Sequence, residues 1–248
     1  MTFSHLMRLD RPTHSDGRTQ SIDTRQLCRA HQLEPHQGQR FPGQRGITRH
    51  AAYADDFVVL VSGTREHAEA MREQVAAVIA PMGLRLSPEK TTVVHIDEGF
   101  DFLGFRIQRH QKPGTNRRYV YTFPARKSVT SIRRKVKAIS TQGTNQSLSD
   151  LLHQLNPVLR GWTGYFRYAV AKATFGYLRH FTWWRVVGWL RRKHRKSNWR
   201  TLRRRYSTTG WWPHDGEMGL FDPGKVPVTR YRYRGDIPSP WPTLSATD

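Results

Sequence analysis

The stretch that most limits what this chain can become is Tyr53-Ala54-Asp55-Asp56, running straight into Phe57-Val58-Val59-Leu60-Val61. Five apolar residues, three of them β-branched, predict a β-strand. Two carboxylates at its entrance are expensive: at about 4 Å they repel by roughly 4 kcal/mol at the effective dielectric near a protein surface. A packed turn that holds both calls for a cation, and a hard, oxygen-seeking divalent ion such as Mg²⁺ is the natural occupant. Facing nucleic acid, such a corner is suited to two-metal phosphoryl transfer. The same pair also fits a plain solvated hairpin turn.

Charge sets the class of partner. The 248 residues carry 41 Lys and Arg against 19 Asp and Glu, a net +22. A chain this basic binds a polyanion, and nucleic acid is the first candidate because counterion release drives association. A membrane partner is not expected, since no apolar run approaches the roughly 20 residues of a spanning helix. A single cysteine, Cys28, leaves no disulfide framework and no Cys-x-x-Cys zinc site. That fits a reducing compartment, the bacterial cytoplasm first and an organelle interior second.

Along the chain, residues 1–50 are rich in Arg, Gln, His and Ser without a sustained period, and are expected to lack ordered structure. Residues 51–124 read as a helix laid on an antiparallel sheet. Ala68, Met71, Val75, Val78 and Ile79 give a helical stripe over 65–81, and short strands follow at 84–86, 91–96 and 100–107. A polar loop at 111–118 returns into Tyr119-Val120-Tyr121-Thr122-Phe123 as a hairpin.

Residues 125–210 change character, with twenty Lys and Arg against one acid, Asp150. Val129, Ile132, Val136 and Ile139 predict one helix; Leu148, Leu151, Leu152 and Leu155 predict another. Asn156-Pro157 reads as the cap and first turn of a third. Ala173, Tyr177, Phe181, Trp184 and Val187 continue at helical spacing, and Asn198 caps a last helix. The cations of this half, with Trp162, Tyr165, Trp183 and Trp199 interleaved, offer phosphate neutralisation and stacking surfaces for unpaired bases. Residues 211–248 read as an irregular tail with alternating Arg230, Arg232 and Arg234.

Taken together, Tyr53-Ala54-Asp55-Asp56, Gly83-Leu84-Arg85-Leu86-Ser87-Pro88-Glu89-Lys90-Thr91, Phe102-Leu103-Gly104-Phe105 and Leu155-Asn156-Pro157-Val158-Leu159-Arg160-Gly161-Trp162 resemble, in order, motifs of group II intron reverse transcriptase/maturases. The resemblance implies an α+β fold, a partial reverse-transcriptase palm over 51–124 followed by an all-α basic thumb/maturase domain over 125–210. It implies Asp55 and Asp56 as catalytic magnesium ligands, Lys90 near the incoming nucleotide's phosphates, and Phe102 to Phe105 as a primer-grip strand. Arg133, Arg134, Lys135, Lys137, Arg160, Arg191, Arg192, Lys193, Arg200, Arg203, Arg204, Arg205 and the three tail arginines become RNA-binding candidates. The implied partners are group II intron RNA, a DNA target or primer, and another chain supplying the fingers.

In the family, fingers and a palm strand bearing a further metal-binding Asp precede the hairpin. Asp10 and Asp23 are the candidates here, and neither has a strand-like apolar context. The expectation is therefore an incomplete polymerase site, with no primer extension by the chain alone. A non-catalytic RNA-binding splicing factor that keeps only maturase activity is the alternative, and a general nucleic-acid packaging protein is a third reading.

Overall fold

A computed structural model of the chain describes residues 2–10, 48–53, 56–207 and 211–229, with 2–10, 48–53 and 82 described by their backbone alone. The described residues form a mixed α+β structure in two compact units, Met1–Ala125 and Arg126–Asp248.

The first unit is built on β3 (Asp56–Ser62), flanked by β2 (Thr48–Tyr53) and β1 (Thr2–Asp10), both antiparallel to it. On its far side β1 pairs with β4 (Arg85–Leu86) and β5 (Thr92–His95). Val59 and Val61 of β3 pack with Ala68 and Met71 of helix α1 (Arg65–Ile79). Val58, one position out of phase, packs with Ile96 and Phe100. Both faces of the strand are covered, which is why its sequence runs apolar without alternation. Each valine so buried stabilises the fold by about 1.5–3 kcal/mol.

The strand β1 overturns the expectation for residues 1–50 at Thr2–Asp10. That stretch has no period to announce it; its order comes from main-chain pairing with β3 and β5 on either side, a tertiary cause that composition does not carry. Residues 11–47, including Asp23, lie outside the described residues.

Helix α1 starts at Thr64, whose hydroxyl accepts from the His67 amide while the His67 ring accepts from the Thr64 amide. It ends in a 3₁₀ turn over Ala80–Met82, where Pro81 stops the helix and Gly83 takes the left-handed φ of 73°. Beyond β5, a three-stranded meander runs β6 (Phe100–Phe102), β7 (Phe105–Gln111) and β8 (Arg118–Pro124). The turn before it is fixed by Asp97, whose carboxylate receives Arg109 at 2.8 Å and Arg118 at 3.4 Å. The Arg109 hydrogen bond, followed by the charges of Arg109, His95 and Arg118, holds the Asp97 carboxyl down at about 2 against the cost of burial.

The second unit comprises α2 (Arg126–Thr141), α3 (Leu148–Phe166), α4 (Lys172–Lys193) and α5 (Trp199–Tyr206). Its core joins Ile132 and Val136, the leucines of α3, Leu178, Val186, Trp189 and Leu190 of α4, and Leu202. Three expectations are corrected here. Asn156 is no cap: α3 runs unbroken through Pro157, and Asn156 is buried inside it. A proline there forgoes one main-chain bond without stopping the helix. On α4 the buried stripe is Phe175, Leu178, Thr182, Val186 and Trp189, while Tyr177 and Trp184 of the predicted stripe are exposed. Apolar residues stand all round this helix, so spacing alone selects no face.

The third correction concerns the tail. Residues 211–229 close the core instead of trailing from it, through a short hairpin of β9 (His214–Asp215) and β10 (Met218–Gly219) and a 3₁₀ turn at Pro223–Lys225. Leu220 is buried, and Trp212, Met218 and Phe221 pack against the helices. Asn156 helps to hold them: its amide donates to the Gly219 carbonyl at 2.9 Å and its oxygen accepts from the Phe221 amide at 2.8 Å.

Candidate nucleic-acid interface

The acidic corner comes first. Tyr53 and Asp56 are paired across β2 and β3, and Ala54 and Asp55 lie outside the described residues. Asp56, half-buried, opens β3. Across the sheet Arg8 stands opposite Asp56, and β1 ends two residues further on at Asp10. Among the described residues no group of three or more His, Cys, Asp or Glu gathers as a metal site. The described residues alone do not complete a magnesium site.

Lys90 is exposed in the turn between β4 and β5, where its amide bonds the Ser87 carbonyl at 3.2 Å. In sheet order β1 stands between β4 and β3, so the strand that carries Asp56 is not the neighbour of Lys90's turn. The expected primer-grip strand Phe102 to Phe105 is instead a hairpin end. Phe102 and Phe105 pair, and Leu103 and Gly104 turn between them at φ 48° and 81°. Two positive φ values in a two-residue loop suit the twist of the flanking strands, and Gly104 supplies one without strain. Leu103 does so with its side chain in the way.

The basic half separates into cations that hold the fold and cations that face outward. Lys193 donates to the carbonyls of Thr144 and Gln146, both at 2.8 Å, and Arg192 donates to the Ser140 carbonyl at 2.7 Å. These bonds tie the end of α4 to the last turn of α2 and to the loop joining α2 and α3. Arg185, which the charge pattern did not single out, donates to the Ser140 hydroxyl and the Thr141 hydroxyl, both at 2.8 Å. Burial, then the charge of Arg192, lowers its proton affinity. Arg179, also unflagged, pairs with Asp222 at 3.2 Å and lies over the Trp212 ring. Its partner could have been suspected from Asp222-Pro223-Gly224, a lone acid beside turn residues.

Arg133, Arg134, Lys135 and Lys137 are exposed on α2, with Arg133 over Tyr177 and Phe181. Arg160 is exposed and lies over Phe221. Arg191 is exposed near the end of α4. Arg200, Arg203, Arg204 and Arg205 are exposed on α5, Arg203 only 3.6 Å from the centre of the Trp211 ring. Arg230, Arg232 and Arg234 lie outside the described residues. Asp150, the one acid of 125–210, accepts from the Ser147 amide at 2.9 Å in the cap of α3. Ser147's hydroxyl and amide together lower its pKa, so this carboxylate is ionised and engaged.

Residues 29–107 match the family described as reverse transcriptase (RNA-dependent DNA polymerase), and residues 129–207 match the group II intron, maturase-specific domain. The chain belongs to the group II intron reverse transcriptase/maturase family. The first match begins inside the 1–50 segment, which composition had set apart as lacking ordered structure.

Among relatives of this family member, protein YkfC of Escherichia coli strain K12 is 42% identical over 77 residues, covering 31% of this chain and 20% of that one. The group II intron-encoded protein LtrA of Lactococcus lactis subsp. cremoris is 34% identical over 73 residues, 29% of this chain and 12% of LtrA. The chain thus matches a fifth or less of these relatives' length. A telomerase structure from Candida albicans, in complex with a fragment of telomeric RNA, aligns over 59% of this chain and 24% of its own. Its identity is 12% and its TM-score 0.24, too low to carry an argument. Among the described residues no helix is long and apolar enough to cross a membrane.

Proposed function

We propose that this chain binds group II intron RNA through its basic helical unit and assists the splicing and mobility of that intron. The observation that carries the reading is the fate of Asp150. The one carboxylate among residues 125–210 is spent in its own helix cap, which leaves the cations of α2 and α5 with no acid from that stretch to neutralise them. A dense array of exposed positive charge repels itself unless a polyanion covers it. Phosphate backbone supplies that, and structured RNA offers the shape to be recognised without reading bases.

Asp55 and Asp56 are proposed as the pair that would hold magnesium for RNA-directed DNA synthesis on a DNA primer. Lys90 and the Phe102 to Phe105 hairpin end would serve the nucleotide and primer. Another chain supplying fingers belongs to the same proposal.

Competition binding tests the central claim. Labelled group II intron RNA bound by the chain should resist displacement by an equal mass of duplex DNA. Equal displacement would make the protein a general nucleic-acid binder. A parallel primer-extension assay with magnesium and Asp56→Ala separates the two family activities. Splicing assistance that survives the substitution, without cDNA synthesis in either protein, identifies a splicing factor.

A further inference from the structure

We infer that a tryptophan-lined cleft between α4 and α5 captures one unpaired nucleobase of a bound strand; the inference rests on the nucleic-acid reading above. The cleft encloses about 540 Å³. It is lined by four indoles, Trp183, Trp184, Trp199 and Trp211, together with Val187, Leu202 and Arg191. Pockets of 300–1,000 Å³ with apolar walls and few polar groups are the usual form of a small-ligand site.

The indoles are held in place as walls. Trp199 and Trp211 stack with centroids 4.9 Å apart and planes 27° from parallel. The Trp183 indole N–H donates to the Trp211 carbonyl at 2.7 Å, and Trp211 itself sits at φ 67°, which a tryptophan rarely adopts. On α4 the Trp184 indole N–H donates to the His180 ring at 2.8 Å. Even so, Trp184 is 53% exposed and Trp199 38% exposed. Two large indoles left open to water beside a cavity are poor packing and a good stacking surface.

Charge selects the ligand. Aromatic clefts also take cationic ammonium groups, but the Arg191 guanidinium here, with Arg203 over the Trp211 ring, would repel one. A planar, neutral ring attached to a phosphate satisfies both features: the base stacks on indole and the phosphate meets the arginine. Stacking is indifferent to base identity, since every base has a π-face. Ser197 and Asn198 also line the cleft; the Asn198 oxygen caps α5 by accepting from the Thr201 amide at 2.9 Å, which leaves the Ser197 hydroxyl and the Asn198 amide nitrogen to meet a base edge.

The test compares an eight-nucleotide single-stranded RNA with the same strand lacking its central base, each titrated into the full chain at fixed salt. Removing the base should weaken binding about tenfold, the usual worth of one base–aromatic stack. Trp184→Ala should erase that difference and leave the salt dependence unchanged, whereas Trp184→Phe should keep part of it. Nitrogen-15 labelling adds a readout independent of any variant: the indole resonances of Trp184 and Trp199 should shift with adenosine monophosphate and stay still with ribose 5-phosphate. A DNA version of the two strands tells which nucleic acid supplies the base. If base removal costs nothing in either strand, or the indoles do not respond to the nucleotide, the capture site is wrong while RNA binding stands. Failure of the chain to bind any RNA at all would sink both.

Discussion

Asn156 on α3 and Phe221 in the closing segment are joined by a 2.8 Å hydrogen bond across 65 positions of sequence. The same side chain bonds Gly219, so one buried amide satisfies two main-chain groups of the closing segment. Asn156→Ala should therefore destabilise the second unit by about 1–3 kcal/mol, the cost of leaving buried polar groups unpaired. Urea denaturation followed by tryptophan fluorescence measures it, and Trp212, which packs against this core, should report the change.

Leu103 occupies a left-handed position that asparagine tolerates far better, next to a glycine already suited to it. Leu103→Asn should raise thermal stability by about 0.5–1 kcal/mol, a gain typical of relieved turn strain. A variant that is more stable and yet poorer in nucleic-acid use would mark the strain as functional.

Asp97 makes one set of contacts in the first unit sensitive to acid. Its folded pKa, about 2, lies below the ordinary 3.8, so the folded state favours the ionised form. That contribution is complete above about pH 4 and fades as pH falls through 2. Melting temperatures between pH 5 and pH 2 should fall more steeply in the natural protein than in Asp97→Asn, which has no proton to gain.

The outward cations of α2 should govern salt dependence. Replacing Arg134, Lys135 and Lys137 by Glu should lower the slope of log affinity against log salt by about 0.7–0.9 for each phosphate that is no longer neutralised. Arg185→Ala should instead lower the melting temperature, because its bonds hold Ser140 and Thr141, and leave that slope unchanged.

These contrasts show which features local sequence can carry. The strand at Phe57 to Val61, helix α1 and the Asn198 cap are stated by neighbouring residues, through apolar runs, periodicity and side-chain capping. The role of Asn156 is not legible in that way, because Asn-Pro is also how helices begin; only the distant Phe221 amide distinguishes the two uses. The buried face of α4 is ambiguous for a related reason, since Tyr177 and Trp184 mark as good a stripe as Leu178 and Trp189. In the candidate interface the abundance of cations is evident from composition. Composition does not separate Lys193, bonded to two carbonyls, from Arg204, exposed on α5. That distinction depends on loops folding back onto the helix.

The placement of β1 has a consequence for expression. It fills the slot between β3 and the pair β4 and β5, so a polypeptide initiated at Arg11 would begin with that slot vacant. Two rows of main-chain donors and acceptors would then lie bare, an invitation to pair with other molecules. Strand β1 thus shields two neighbouring strands from clumping with other molecules.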